Sequence, residues 1–213
     1  MTDRPFPTWV YHITRIEHLP SMIAEGVWSD TEASARGLTK VSIGYSHIKV
    51  RRARRLVDTG ARGTLADYVP FYFAPRSPML FAISQGKVGQ NVTDCTRIAY
   101  LVTSVQHLRS RSHIVVTSDR HAVTPFARFT TDDDVLTESV DWALMQARYW
   151  RDTAEDPDRS DRRQAELLVH QRLSWDNILG VATANERTMG EVSALIGTHG
   201  ATTRVATRPE WYF

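Results

Sequence analysis

A chain of 213 residues with 42% hydrophobic, 23% charged and 9% aromatic side chains is sized for one domain, residues 1–213, and its composition excludes wholesale disorder, collagen-like repeats and low-complexity scaffolds. Its 26 basic and 24 acidic residues leave a formal net charge of +2, too small to mark a nucleic-acid binder by itself. The apolar runs fall far short of the roughly 20 residues that a membrane helix needs, and residues 1–10 carry Asp3, Arg4, Pro5 and Pro7 where a signal peptide would be apolar, so a cytoplasmic protein with no membrane partner is expected. The lone Cys95 can form no internal disulfide and no cysteine metal site.

In chain order, residues 11–14 read as a short strand leading into a helix with Leu19, Met22 and Ile23 on one face and Gly26 as its stop. An apolar signal over 41–45 precedes a helix over 47–57, whose buried stripe would be Ile48 with Leu56 or Val57. Its flank holds Lys49, Arg51, Arg52, Arg54, Arg55 and Arg62 against the single acid Asp58, a local balance of +5. Only three of the 26 basic residues are lysines, a bias that genome composition also produces, so the cluster is the signal and the bias is not.

Residues 65–73, LADYVPFYF, are strand-like and aromatic, and Pro75 and Pro78 forbid a regular helix directly after them. A short helix over 79–85 then ends at Gly86. Strands over 98–103 and 114–117 enclose a helix over 105–109, and Asp119, Arg120 and His121 follow as a polar cluster at a strand end, a place where sites are often built. Residues 137–150 form the clearest helical pattern, with Trp142, Met145 and Tyr149 on one stripe. Residues 151–163 hold five acids and four arginines with almost nothing apolar, which predicts an exposed loop or a mobile lid. Strands over 165–170 and 178–182 follow. Thr188 and Glu191 have capping-box spacing before a helix carrying Val192, Leu195 and Ile196, and a strand over 202–206 closes the chain. Several strand pairs lack a crossover helix, which favours an α+β fold with antiparallel sheet over a doubly wound one.

Dinucleotide, P-loop, zinc-protease and paired-cysteine motifs are absent from the sequence, and no metal is expected. Taken alone, His12 in an apolar strand reads as a core histidine, and the basic run 51–55 as a solvated helix face. Glu166, between Ala165 and Leu167, alternates to one face of its strand and needs a partner if buried; a structural salt bridge to an arginine has equal standing with a catalytic role.

Taken together, YHIT (11–14), IKVRRARR (48–55), DYVPFYFAPRSPML (67–80), SDRHAV (118–123) and RQAELLVH (163–170) resemble, in the same order, the DarT family of bacterial toxins that ADP-ribosylate single-stranded DNA. The resemblance spans nearly the whole chain, including the aromatic tail Trp211, Tyr212 and Phe213. It implies an ADP-ribosyltransferase fold, two small, mainly antiparallel sheets around a cleft for NAD, and transfer of ADP-ribose from NAD to a DNA base. Thymine is favoured; the alternatives are guanine, an RNA or protein acceptor, or plain NAD hydrolysis.

By the same resemblance Glu166 is the catalytic glutamate. Its charge would stabilise the oxocarbenium-like centre formed as nicotinamide leaves, and it could take the proton of the attacking base. Arg52, with Arg51 second, is the catalytic arginine facing the NAD pyrophosphate. His121 lies near the centre and the DNA. His12 and Thr14 would bind the nicotinamide end of NAD, with Tyr68, Phe71, Tyr72 and Met79 lining an aromatic cleft. Arg51, Arg55, His121, Arg151, Arg159 and Arg162 would meet DNA, which must enter unpaired. Residues 151–163 precede Glu166 where such enzymes read their targets. Arg15 departs from the histidine often found after YHIT. The expected partners are single-stranded DNA and a DarG-like macrodomain antitoxin, and a monomer is expected.

Overall fold

A computed structural model describes residues 3–38, 45–87 and 95–213. The first strand, β1 (Trp9–Arg15), passes through a 3₁₀ turn into α1 (Leu19–Glu25), with Pro20 in the first turn, where a missing N–H costs nothing. Gly26 stops α1 at φ +89, and a Cβ there would come within 2.7 Å of the Leu173 carbonyl, so glycine is required where the chain turns into β2 (Val27–Trp28). Next come α2 (Asp30–Ala35), capped by the Ser29 hydroxyl, and α3 (Ser46–Arg54). The apolar signal over 41–45 lies outside the described residues except for Tyr45. The helix expected over 47–57 ends at Arg54, because Arg55 is extended; Leu56 is exposed, and Val57 enters the core from beyond the helix.

A 3₁₀ turn opens the aromatic segment and leads into β3 (Tyr68–Tyr72), followed by α4 (Pro78–Ser84), capped by Ser77. Then follow β4 (Ile98–Ser104), α5 (Val105–Ser110), β5 (Val115–His121) and β6 (Phe129–Thr130). The single helix expected over 137–150 is two short ones, α6 (Asp133–Ser139) and α7 (Trp142–Gln146). Val140 turns extended, and the Asp141 carboxylate accepts from the Leu144 N–H to start a second helix. A strong N-cap thus overrides the apolar spacing, and Tyr149 lies outside any helix and is exposed.

The acidic and basic segment contains one turn of helix, α8 (Arg159–Arg162), and runs into β7 (Ala165–His170), β8 (Arg172–Leu173) and β9 (Gly180–Thr183). The last helix, α9 (Glu186–Thr198), is capped by Asn185, three residues before the expected capping box. Thr188 donates instead to the Thr96 carbonyl, and Glu191 pairs with Arg97. Strand β10 (Arg204–Thr207) follows.

The strands form one eight-stranded sheet in the order β10-β9-β4-β1-β3-β7-β5-β6, and β2 pairs separately with β8. Its pairings are antiparallel except β9 with β10, which α9 links as a crossover. The α+β, mainly antiparallel architecture expected from the sequence is present. Its two expected sheets are the two halves of this sheet, because β1 and β3 meet only at Tyr11 and Tyr72. Pro70 explains the pinch: it has no N–H to continue the ladder, and its carbonyl is taken by the His12 ring at 2.8 Å. One face of the sheet is covered by a large core with Val10, Phe71, Leu101 and Leu167. The other face carries two separate clusters, one around Ile13, Tyr100 and Tyr212 and one around Tyr68, Val116 and Leu168. The pinch lies between them.

Candidate active site

At the pinch a cavity of about 230 Å³ gives room for an organic ligand rather than a single ion. Strand β1 contributes His12, Ile13 and Thr14; β3 contributes Pro70 and Tyr72; α3 contributes Ile48, Lys49 and Arg52. Met79 and His121 close one side, and Trp28, Asp30 and Leu38 line another part of the wall.

Glu166 lies just behind this wall, register-paired with Tyr72 and almost fully covered. Its Oε2 accepts from Nη1 of buried Arg52 at 2.8 Å, and its Oε1 from the Ala122 N–H at 3.1 Å. The Glu166 N–H donates to Ser118 Oγ, so both its main chain and its side chain are held. The pairing of β5 with β7 is irregular between Thr117 and His121, and this irregularity turns the Ala122 N–H inward. Arg52 Nη2 donates to the Leu65 carbonyl at 3.4 Å. Burial works against the Arg52 charge, but the charge and hydrogen bond of Glu166 outweigh it and raise its pKa above the usual value.

Histidines around the cavity are neutral at pH 7. Burial lowers the pKa of His12, with smaller opposing effects from the Pro70 hydrogen bond and Asp30. A carbonyl only accepts, so His12 Nδ1 carries the hydrogen. Burial also lowers His18 and His121, the latter against the attraction of Glu166. His18 Nδ1 lies 3.3 Å from Thr14 Oγ1, and its buried Nε2 has no hydrogen-bond partner among the described residues. Burial, followed by the Glu166 charge, keeps Tyr72 protonated, and its hydroxyl donates to Met79 Sδ.

The fold therefore brings Glu166, Arg52, His121, His12, Thr14, Tyr72 and Met79 together. It does not bring Tyr68 and Phe71 to the cavity. Tyr68 belongs to the core under the far half of the sheet, with its hydroxyl on the Arg62 carbonyl, and Phe71 points into the main core. Alternation sends Phe71 to the face opposite Tyr72, whereas Tyr68 shares the face of Tyr72 but lies four residues along the strand, over the other cluster. Arg52 is held by Glu166 and also lines the cavity. Arg51 reaches the Val123 carbonyl at 3.5 Å, and Arg55 reaches those of Pro125 and Ala127.

In the loop before Glu166, Arg159 and Arg162 are tied to acids: Arg159 to Asp156, and Arg162 to Asp141, Asp156 and Asp158. Among the described residues Arg151 is exposed and in no ion pair. The loop is anchored rather than loose, since buried Arg163 donates to the carbonyls of Leu144, Met145, Ala147 and Pro75. Sequence reasoning missed Trp28, Asp30, Lys49 and His18 as cavity residues. Each sits outside the recognisable segments or, like Lys49, inside a basic run that reads as one charge patch; Lys49 in fact pairs with Asp30 at 2.8 Å.

Residues 11–213 match the family described as ssDNA thymidine ADP-ribosyltransferase, DarT. The chain is 36% identical over 216 residues to a protein of Thermus sp. (strain 2.9) named DNA ADP-ribosyl transferase, covering 98% of each. It superposes on the structure of Thermus sp. 2.9 DarT in complex with ADP-ribosylated ssDNA with TM-score 0.91 and 35% identity, covering 100% of this chain and 99% of that one. With the NAD+ complex of the same protein the TM-score is 0.86 at 33% identity, covering 98% and 99%. A Thermosipho africanus protein named as a fusion of DNA ADP-ribosyl transferase and DNA ADP-ribosyl glycohydrolase is 25% identical over 163 residues, 76% of this chain and 39% of that protein.

Proposed function

The chain belongs to the DarT family, and on that premise we propose that it is an NAD-dependent mono-ADP-ribosyltransferase that modifies a base, thymine first, in single-stranded DNA. The observation that carries this reading is the buried Glu166–Arg52 pair set against a cavity with neutral imidazoles and apolar walls.

The residues fit NAD as co-substrate. Flat groups, Trp28 and Tyr72, and the apolar Met79 suit the aromatic rings, and Thr14 and the unpartnered Nε2 of His18 suit hydroxyl and amide groups. Lys49 and Arg52 are both on the cavity wall, and Lys49, the less deeply buried of the two, suits phosphate. Among the described residues no group of three or more metal-binding side chains occurs, and the reading needs none.

NAD supplies the ADP-ribosyl group. Glu166 supplies a fixed negative charge against the positive charge that develops as the glycosidic bond breaks, a role in which preorganisation matters more than reach. Arg52 and the Ala122 N–H hold that carboxylate in one orientation. The same carboxylate accepts the proton of the attacking base nitrogen, and neutral His121 beside it offers a hydrogen-bonding nitrogen to orient that base. Tyr72, closed over by its bond to Met79, keeps water from competing.

Acting on DNA in this way makes the chain a toxin, and the partner that would reverse the modification is a DarG-like macrodomain; the Thermosipho fusion of transferase with glycohydrolase supports that pairing. Among the described residues no helix is long and apolar enough to cross a membrane, and a cytoplasmic site of action is part of the proposal. The test is incubation with labelled NAD and four single-stranded oligonucleotides, each lacking one base, beside a Glu166→Ala control. Label that fails only where thymine is missing and vanishes in the variant is the expected result. Label confined to guanine, RNA or protein, or NAD consumed with no acceptor labelled, would replace it with the corresponding activity.

A further inference from the structure

An array of aromatic rings stands outside the cavity wall with no role in the chemistry above. Phe81 lies on α4, two residues after Met79. Residues two apart on a helix face opposite ways, so α4 turns Met79 into the cavity and Phe81 outward, where it is 41% exposed. The Phe81 ring stands 6.1 Å from that of Trp150 and 5.1 Å from that of Phe213, both edge-on. Arg76 lies over Phe213 at 4.1 Å, held there by its N–H on the Tyr100 hydroxyl and its guanidinium on the Tyr212 carbonyl. Tyr149, the chain neighbour of Trp150, is 77% exposed.

Two cations frame these rings. Arg148 and Arg151 flank Tyr149 and Trp150 in the chain. Arg148 and Arg151 are exposed and, among the described residues, in no ion pair, and Arg148 lies 5.7 Å from the Tyr149 ring. Most cations of the following loop are in contrast spent on acids or carbonyls. Trp150 opens the segment that returns to Glu166, and Trp211, which precedes Tyr212 and Phe213, packs on Tyr11 at the pinch. Phe81 stands across one helix, about 10 Å wide, from Met79 in the cavity wall.

We propose that Phe81, Trp150 and Phe213, with Arg148 and Arg151, form a stacking platform for the bases that flank the modified nucleotide in single-stranded DNA. Exposed rings offer each base a π-face regardless of its identity, and interleaved arginines meet the phosphates between bases. Phe81, Tyr149 and Phe213 are exposed and Trp150 is half-buried, which leaves apolar ring surface for a partner to cover. The platform rests on the reading that the acceptor is single-stranded DNA, and it places the contact outside the catalytic cavity.

The test is fluorescence anisotropy of the full chain with a labelled oligothymidylate and with an abasic strand of the same length, for Phe81→Ala, Trp150→Ala and the conservative Phe81→Tyr and Trp150→Phe. Each alanine variant is expected to weaken oligothymidylate binding by roughly 5- to 150-fold, to leave abasic binding and NAD binding unchanged, and to be rescued by the conservative variant. Unchanged oligothymidylate binding, or equal losses for both strands, would overturn the platform. Loss of NAD binding in an alanine variant would overturn it as well, by making the ring a support of the cavity wall. A strand bound through these rings but never labelled would sustain the platform while overturning the transferase reading.

Discussion

The same two residue types, arginine and carboxylate, are used in opposite ways at the catalytic wall and in the loop that precedes it. Arg52 and Glu166 are both buried, meet at 2.8 Å, and have their remaining groups occupied by the Leu65 carbonyl and the Ala122 N–H. Arg159 and Arg162 share Asp141, Asp156 and Asp158 at the surface, one arginine serving several acids. In the buried pair each partner depends on the other, since a lone buried charge is costly. At the surface water replaces any lost partner, and the network shapes the loop at little energetic value. Burial, more than the number of ion pairs, decides which charges are fixed enough for chemistry.

The sharpest way to break this contrast is Glu166→Gln, which keeps the shape and removes the charge. Transfer measured with labelled NAD is expected to fall by at least about a thousandfold, because charge stabilisation and proton acceptance are lost together. An activity within tenfold of the parent would mean that Glu166 is only a structural partner of Arg52.

Arg52→Met comes next, leaving the Glu166 carboxylate buried without its cation. A stability loss of about 3–5 kcal/mol is expected in denaturant unfolding. Most of it should return in the double variant Arg52→Met/Glu166→Leu, which would nevertheless be inactive. Failure of the double variant to recover would place the energetic value in the surrounding hydrogen bonds rather than in charge pairing.

Titration sharpens the comparison on the catalytic side. His12, His18 and His121 have folded pKa values below the ordinary value, chiefly through burial. As pH falls below about 6.5 the unfolded chain gains protons that the folded chain does not. Stability should therefore be full above that pH and decline as pH falls toward the lowered folded values. Thermal unfolding across pH 4.5–7.5 checks this, and His12→Asn should flatten the slope. Arg162→Met is the smallest perturbation, expected to cost no more than about 1 kcal/mol. That cost should fade at 1 M salt, where the Debye length is about 3 Å, while the Arg52→Met loss persists.

Legibility in the sequence followed the range of the interactions involved. Strands β1, β4 and β7 and helices α1 and α4 were readable because periodicity, prolines and the Gly26 stop act within a few residues. The break between α6 and α7 was not, because an N-cap at Asp141 competes with an apolar stripe that looks continuous. The site was readable where segments match the family and misread where the match says nothing of side-chain direction. Tyr68, Phe71 and Tyr72 share one strand, yet only Tyr72 reaches the cavity.

The order of elements, the α+β class, the family and the identity of Glu166 as the residue in need of a partner were determined by the sequence alone, since each rests on local pattern or on motif. The tertiary structure decided that the partner is Arg52 and not Arg51, that Lys49 and Trp28 face the cavity, and that Arg159 and Arg162 are held by acids. These outcomes depend on residues far apart in the chain, 114 positions in the case of Arg52 and Glu166, meeting at a pinch that exists because one proline interrupts one strand pairing.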